Sequence, residues 1–257
     1  MNNLQTACDQ LRLLALPGCA DQLAEDAAKH NWSYLEFLDR VLDRELGARQ
    51  EREVLLKTRH AHFPFAKTLD QFDFAFQPSV NERQIRDMAT MRFVAHGENV
   101  LLLGPPGVGK THLAISLGMA GIAQGLSVMF LSIASLLEQL DRDAKANRLE
   151  QRLRTLCRPK LLILDEMGYF PLDRQAAQFL FQLVSRRYLK GSIILTSNKS
   201  YGDWGDIFAD PILAAAILDR LLHASTTLNI RGQSYRLREK QKAGLFHPPT
   251  EFPPTGS

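Results

Sequence analysis

The sequence predicts an α/β fold in which a five-stranded parallel sheet is flanked by helices and preceded by a small all-helical domain. Five short apolar runs alternate with longer segments of helical periodicity, which is typical of a parallel sheet covered on both faces. The first 60 residues, in contrast, contain helical patterns only. The strands are expected at residues 99–103, 127–131, 161–164, 192–196 and 226–230.

The order of these patterns suggests four parts of the chain. We expect a helical interaction domain at 1–60, a linker packed onto the next domain at 61–80, the α/β domain at 81–243 and a disordered, proline-rich tail at 244–257. The 257 residues, 45% hydrophobic and 23% charged, suffice for one such domain with a small accessory domain. A plain helical bundle remains an alternative interpretation of the first part.

The N-terminal part contains a clear helix start. Ser33 and Glu36 have the spacing of a capping box, in which both side chains satisfy free amides at the start of a helix. A stripe of apolar residues follows at helical spacing. Its members are Leu35, Leu38, Val41, Leu42 and Leu46.

Composition argues against a membrane or secreted protein. No apolar run approaches the roughly 18 residues needed to cross a bilayer, and the N-terminus lacks the basic region of a signal peptide. The three cysteines, Cys8, Cys19 and Cys157, have no metal-ligand spacing. We therefore expect a cytoplasmic protein. The net charge is only +3, but the first 60 residues carry −2, so the remainder is basic.

A phosphate-binding loop follows the first predicted strand. The pattern G-x-x-x-x-G-K-[ST] requires a strand before it and a helix after it, and NVLLL and THLAISLGMAGIA provide both. Its backbone amides would face the phosphates of ATP, its lysine would reach the β- and γ-phosphates, and its threonine would bind Mg²⁺. The residues are Gly104, Pro105, Pro106, Gly107, Val108, Gly109, Lys110 and Thr111.

Two carboxylates follow the buried run LLIL. Asp165 and Glu166 would emerge at the carboxyl end of a strand, the sheet edge where ligands bind in this fold class. We expect Asp165 to hold Mg²⁺ and Glu166 to polarise the attacking water as general base. This pair argues against a metabolic kinase, in which water is not the nucleophile.

Two further residues are candidates for catalysis. Asn198 ends the strand IILTS and could orient the attacking water, although asparagine often ends strands simply by turning the chain. Arg220 stands on an otherwise apolar helix, and its planar guanidinium suits phosphate binding. A local ion pair is the alternative for Arg220. Aromatic and aliphatic residues before the first strand, Phe72, Phe74 and Ile85, could line an adenine pocket.

The motifs GPPGVGKT, LLILDE, LTSN and DPILAAAILDRLLHAS, in this order, resemble the AAA+ ATPases of the initiator and helicase-loader clade. Within that clade, the chain is similar to the IstB-like family over nearly its whole length, including QLRLLALPG and SYLEFLDRVLDRE of the helical N-terminus. Members of this family are ATP-binding helpers of DNA transposition.

The resemblance implies a Mg²⁺-dependent ATPase that binds duplex DNA largely independently of sequence and directs a partner transposase to its target. It also implies a homo-oligomer with head-to-tail contacts, in which Arg220 reaches the ATP of a neighbouring subunit. The bacterial nucleoid is the expected location of the DNA-bound form. A helicase loader of the DnaC type is the alternative function. Many relatives have a helical lid with a further arginine sensor; we expect no full lid here, so no arginine, such as Arg231, is assigned as a sensor within the same subunit.

A basic segment at 142–160 is the candidate DNA-binding element. It contains seven Lys and Arg residues against two Asp and Glu, and the clade places an inserted helical element here. We expect Arg142, Lys145 and Arg148 to face phosphates, although a solvated helix face has the same pattern. The stretch 231–242 is also basic.

Overall fold

The structure is a computed structural model that describes residues 3–208 and 210–242. It divides into two compact units, with the boundary between Arg59 and His60. The predicted disordered tail at 244–257 lies outside the described residues. In the part of the chain that is described, no helix is both long and apolar enough to cross a membrane.

The N-terminal unit is helical. Its helices are α1 (Asn3–Leu11), α2 (Ala20–His30) and α3 (Tyr34–His60). The predicted capping box at the start of α3 is confirmed, since Ser33 N–H donates to Glu36 Oε2 at 2.7 Å and Glu36 N–H donates to Ser33 Oγ at 3.3 Å.

A buried carboxylate, Glu45, organises this unit. The side chain is 4% exposed and accepts the backbone N–H groups of Leu14, Ala15 and Leu16 at 2.8–3.2 Å, together with the guanidinium of Arg52 at 2.9 Å. It thereby satisfies the free amides of the turn between α1 and α2. The leucines of the predicted stripe on α3 are largely exposed instead, at 48–74%. They are Leu35, Leu38, Leu42 and Leu46.

The second unit contains the expected sheet, which confirms the predicted fold class. All of its strand pairings are parallel, in the order β2-β3-β4-β1-β5. The strands are β1 (Asn99–Leu103), β2 (Val128–Ser132), β3 (Leu161–Met167), β4 (Ser192–Ser197) and β5 (Ser225–Asn229). Every residue of β1 and β4 is buried, so both strands are central and neither has a face exposed to solvent.

Helices cover both faces of this sheet. The helix that follows β1 lies on one face, while α7, α9 and α11 lie on the other and bury alternate residues of β3 and β4. The helices are α4 (Glu82–Met88), α5 (Arg92–Ala95), α6 (Lys110–Ala123), α7 (Ile133–Lys145), α8 (Leu149–Cys157), α9 (Arg174–Arg187), α10 (Trp204–Ile207), α11 (Pro211–Leu222) and α12 (Tyr235–Lys242).

The segment at 61–80 packs onto the sheet unit. Phe130 N–H of β2 donates to the carbonyl of the buried Ala61 at 2.8 Å. The carbonyls of Lys67 and Thr68 contact Ser116 Oγ and the ring of His112 on α6 at 3.1 and 3.0 Å. These contacts hold the aromatic residues of the segment beside the start of α6.

A buried arginine ties together the amino ends of β3 and β4. Arg187, at the end of α9, is 2% exposed and donates to the carbonyls of Leu156, Pro159, Lys160 and Ser192 at 2.9–3.2 Å. Burial lowers the pKa of this guanidinium to about 10. Because carbonyls surround the charge, the end of α8 is fixed against the sheet.

Candidate nucleotide-binding site

The glycine-rich loop runs from the end of β1 to the first residue of α6. Gly107 and Gly109 adopt φ angles of 83° and 99°, a region that favours glycine. A Cβ atom on Gly109 would lie 2.6 Å from the ring of Phe72, so the close approach of Phe72 also requires glycine. The loop therefore has the local geometry that lets backbone amides surround an anion.

Lys110 stands at the centre of this loop. Its Nζ donates to the carbonyls of Gly104 at 2.5 Å and Pro105 at 2.7 Å, and the residue is 7% exposed. Burial lowers the pKa of Lys110 to about 8; Asp165 and Glu166 act in the opposite direction. An ammonium group held only by carbonyls in a buried site gains a strong partner when a polyphosphate binds.

Thr111, Asp165 and Thr196 form a hydrogen-bonded group beside Lys110. Thr111 Oγ1 lies 3.0 and 3.1 Å from the two carboxylate oxygens of Asp165. Thr196 Oγ1 donates to Asp165 Oδ1 at 2.5 Å and accepts the N–H of Glu166 at 3.0 Å. The three residues come from α6, β3 and β4, and all lie at the carboxyl edge of the sheet.

Two adjoining cavities open at this edge. One, of about 300 Å³, is lined by the loop, Phe65, Phe72, His112 and Glu166. The other, of about 600 Å³, lies on the β2 side and shares Thr111 and Glu166 with the first. Cavities of this size hold small ligands, and the predicted loop and both carboxylates line them.

Sequence reasoning did not single out Arg236 or Thr196 as residues of this site. The C-terminal segment returns to the loop, because Tyr235 N–H donates to the Gly107 carbonyl at 3.0 Å and Gln77 Nε2 donates to the Gln233 carbonyl at 3.1 Å. Arg236, at the start of α12, therefore lines both cavities and lies close enough to lower the pKa of Lys110. In the sequence it was only one of several basic residues near the end of the chain.

The donor set fits Mg²⁺. A hydroxyl and a carboxylate are hard oxygen ligands, and Mg²⁺ usually takes one or two carboxylates, waters and phosphate oxygens rather than an all-protein cage. The described residues contain no group of three or more His, Cys, Asp or Glu side chains that could hold a metal ion alone. Thr111 and Asp165, already in contact, are the residues that would hold it.

Four further residues named in the sequence analysis, Asn198, Phe74, Ile85 and Arg231, have the following surroundings. Asn198 follows β4 immediately, and its buried Oδ1 has no hydrogen-bond partner among the described residues. Phe74 packs edge-on against Phe72, with ring centroids 4.8 Å apart, whereas Ile85 is fully buried in the core. Arg231 is exposed and contacts Ser79 through its backbone.

Arg220 lies far from the loop of its own chain. The carbonyl of the next residue, Leu221, accepts from Asn99 Nδ2 at the amino end of β1, whereas the loop follows the carboxyl end. The two ends of the five-residue strand β1 are roughly 13 Å apart, at a rise of about 3.3 Å per residue. The half-buried guanidinium donates to the Ala216 carbonyl at 3.1 Å and lies 4.8 Å from the ring centre of Phe181.

The basic element formed by α7 and α8 is largely neutralised by carboxylates. Lys145 pairs with Asp141 at 2.7 Å, and Arg148 pairs with the buried Asp143 at 3.4 Å. Arg142 is exposed and has no carboxylate partner among the described residues. Of the three predicted DNA contacts, Arg142 is therefore the one whose charge is unshared.

The fold and site together define an ATP-binding protein of the P-loop class with an AAA+ fold. The sequence matches the IstB-like ATP binding protein family over residues 6–243, and the chain belongs to this family.

Proteins encoded by insertion sequences are close relatives. The ATP-binding protein of insertion sequence IS21 from Pseudomonas aeruginosa is 48% identical, over 96% of this chain and 93% of the relative. That of insertion sequence IS5376 from Geobacillus stearothermophilus is 49% identical, over 91% and 93%.

Solved structures share the fold. The DnaC helicase loader superimposes with a TM-score of 0.52 at 21% identity, covering 68% of this chain and 99% of that one. The replication initiator DnaA, bound to AMPPCP and single-stranded DNA, gives 0.55 at 17% identity, over 71% and 56%. At these identities the likeness extends to the fold alone.

Proposed function

We propose that this protein is a Mg²⁺-dependent ATPase that assembles on duplex DNA and helps a partner transposase to select and use its target. The observation that carries the proposal is the convergence of Lys110, Thr111, Asp165 and Glu166 on two adjoining cavities at the carboxyl edge of the sheet, in a chain whose close relatives are insertion-sequence proteins. The proposal goes beyond ATP binding in four respects, namely hydrolysis, assembly, DNA binding and help to the transposase.

The placement of charge supports hydrolysis. Lys110 and the loop amides would bind the β- and γ-phosphates, and Arg236, which lines the same cavity, would contact the γ-phosphate. Mg²⁺ held by Thr111 and Asp165 would neutralise developing charge on the phosphates. Glu166 is exposed, lines the cavity and has no ion-pair partner among the described residues, so its carboxylate would be available to take a proton from water.

The adenine would lie at the aromatic end of the smaller cavity. Phe72 borders this end, and its ring is edge-on to His112, with centroids 5.3 Å apart. Asn198, which directly follows β4, would act on the attacking water; its Oδ1 has no hydrogen-bond partner among the described residues.

Assembly would place Arg220 at the ATP of a neighbour. Because α11 holds Arg220 at the amino edge of its own sheet, away from the loop of the same chain, a neighbour's ATP is the one that it would contact. A head-to-tail contact of this kind generates rings or helical filaments. ATP bound between subunits would then stabilise the assembly, and hydrolysis would loosen it.

Mixed assemblies test the role of Arg220 between subunits. Subunits with Lys110→Ala lack an ATP site but supply Arg220. Subunits with Arg220→Ala retain the ATP site but lack the arginine. In a 1:1 mixture about one quarter of head-to-tail contacts combine an intact ATP site with an intact arginine, so phosphate release should recover to roughly that fraction of wild type. Zero activity at every mixing ratio, with normal assembly by light scattering, would contradict the role in the neighbouring site.

DNA binding would rest on contacts to the phosphate backbone. Such contacts position a protein without reading sequence. Arg142 on α7 is the first candidate because its charge is unshared, whereas Arg148 and Lys145 must leave Asp143 and Asp141 to reach phosphates.

A salt series checks this interface. We expect the affinity for duplex DNA to fall steeply with salt, and Arg142→Ala to reduce the slope of log K against log salt by about 1, the effect of one lost phosphate contact. Lys190→Ala is the matched control, since it also removes one exposed positive charge but lies at the amino edge of the sheet. If Arg142→Ala leaves the slope unchanged, or if both variants change it equally, Arg142 is not a DNA contact.

The identity of the partner separates this function from helicase loading. The relatives named as insertion-sequence proteins are 48–49% identical, whereas the DnaC helicase loader shares only 21%. We expect the immobilised, ATP-loaded protein to retain the transposase of the same element and not a replicative helicase. The reverse result would favour the helicase-loader function.

A further inference from the structure

We propose that the Thr196 hydroxyl positions both carboxylates of the site, Asp165 for the metal and Glu166 for the attacking water. This inference rests on the proposed function, since it gives a supporting role to a residue at the edge of the smaller cavity. Thr196 belongs to β4 and is 1% exposed.

The first observation is a β-bulge between β3 and β4. Leu164 is opposite Leu195 and Met167 is opposite Ser197, so that two residues of β3, Asp165 and Glu166, face one residue of β4. A bulge leaves one residue out of the ladder and redirects the side chains beside it. Here the residue between the two registers on β4 is Thr196.

The second observation is the backbone of Glu166. Its φ of 69° lies in the left-handed region, which residues other than glycine rarely adopt. The N–H of Glu166 donates to Thr196 Oγ1 at 3.0 Å, so the threonine side chain supplies the acceptor for this bulge residue. The hydroxyl thus stabilises the conformation that presents the Glu166 side chain to the cavity.

The third observation is the direction of the hydrogen bonds. A backbone N–H can only donate, so the hydroxyl accepts from Glu166 and its own hydrogen is available for Asp165 Oδ1. One oxygen therefore fixes the orientation of Asp165 and the backbone of Glu166 together. Since Thr196 is β-branched and buried, its side chain is held in place, and water cannot readily substitute for it.

This arrangement predicts which properties depend on the hydroxyl. Without it, Asp165 loses a donor and the N–H of Glu166 loses its acceptor, so metal-assisted binding and water activation both weaken. The phosphate contacts of Lys110 and the loop amides come from β1 and α6 and should persist. Nucleotide affinity without Mg²⁺ is therefore expected to stay within about threefold of wild type, whereas supporting residues of metal sites typically contribute 10- to 100-fold.

The test compares Thr196→Val, which removes the hydroxyl, with Thr196→Ser, which retains it. Thr226→Val on β5 is the matched control for loss of a strand threonine hydroxyl. For each full-length protein, the affinity for a non-hydrolysable ATP analogue is measured with and without Mg²⁺, together with kcat for phosphate release and the melting temperature. We expect Thr196→Val to lose 10- to 100-fold in kcat and most of the affinity gained from Mg²⁺, and Thr196→Ser and Thr226→Val to resemble wild type.

The outcomes separate the two proposals. The positioning role would be overturned if Thr196→Val kept wild-type kcat and a wild-type Mg²⁺ effect. It would also be overturned if Thr196→Ser lost as much kcat and Mg²⁺ effect as Thr196→Val and these losses followed a lower melting temperature. If the wild type binds nucleotide but hydrolyses none, hydrolysis fails as a function, while the Mg²⁺-dependent affinity still decides the role of Thr196. A wild type that binds no nucleotide would overturn both.

Discussion

Lys110→Ala is expected to abolish nucleotide binding at working concentrations. The side chain is buried, and within the described residues its ammonium donates only to the carbonyls of Gly104 and Pro105, so it is the positive charge available to the phosphates at the centre of the loop. Removing one partner of a buried, hydrogen-bonded charge pair costs about 2–5 kcal/mol, or roughly 30- to 4,000-fold in affinity. Titration with a fluorescent ATP analogue measures the loss.

Thermal unfolding provides an independent check of the same variant. A ligand present at about 100 times its dissociation constant stabilises the folded protein by about 2.7 kcal/mol, so ATP should raise the melting temperature of the wild type but not of Lys110→Ala. Lys190→Ala, which removes an exposed lysine from the opposite edge of the sheet, should retain the full shift. The prediction fails if Lys110→Ala binds with wild-type affinity.

Glu166→Gln is expected to retain ATP and lose its hydrolysis. Glutamine keeps the size and the backbone contact to Thr196 but cannot accept a proton from water. General-base catalysis contributes about 10²- to 10⁴-fold, so kcat for phosphate release should fall by that factor while nucleotide affinity stays within about threefold. Assemblies on DNA should consequently persist after addition of ATP, in contrast to those of the wild type.

A matched substitution on α7 separates this effect from a general change in charge. Glu138→Gln removes one exposed carboxylate outside the cavities and should leave both kcat and assembly unchanged. A Glu166→Gln protein that hydrolyses ATP at the wild-type rate would exclude Glu166 as the base and would direct attention to water held by other groups.

Local patterns in the sequence predict most of this site. The strand NVLLL, the loop and the helix after it are contiguous, and the two carboxylates directly follow a buried run, so that parallel topology alone brings them to the same edge. The order of the strands could not be read from these patterns, yet it places β3 and β4 side by side and thereby joins Asp165 to Thr196.

Other features depend on contacts between distant segments. Arg236 reaches the cavities only because the chain returns to Gly107 after β5, and nothing in a run of basic residues indicates such a return. Thr196 has the sequence appearance of an ordinary strand residue, since threonine favours strands in general. The bulge opposite it is a property of register, which periodicity in a single strand does not reveal.

The N-terminal unit illustrates a different limit of prediction from the sequence. The stripe that begins at Leu35 has the correct spacing for a buried helix face, and the helix is present, but its leucines are exposed. Periodicity identifies an amphipathic helix without specifying what covers it. The buried group is Glu45, whose partners lie some 30 residues earlier in the chain, in the turn after α1.

Equilibrium titration of the wild-type protein with a fluorescent ATP analogue and Mg²⁺ tests the central claim most directly. Binding should saturate at one nucleotide per chain, be displaced by unlabelled ATP, weaken when Mg²⁺ is removed and be lost in Lys110→Ala. Absence of saturable binding in the presence of Mg²⁺, or binding that Lys110→Ala retains in full, would contradict the assignment of the loop at 104–111 as the phosphate site.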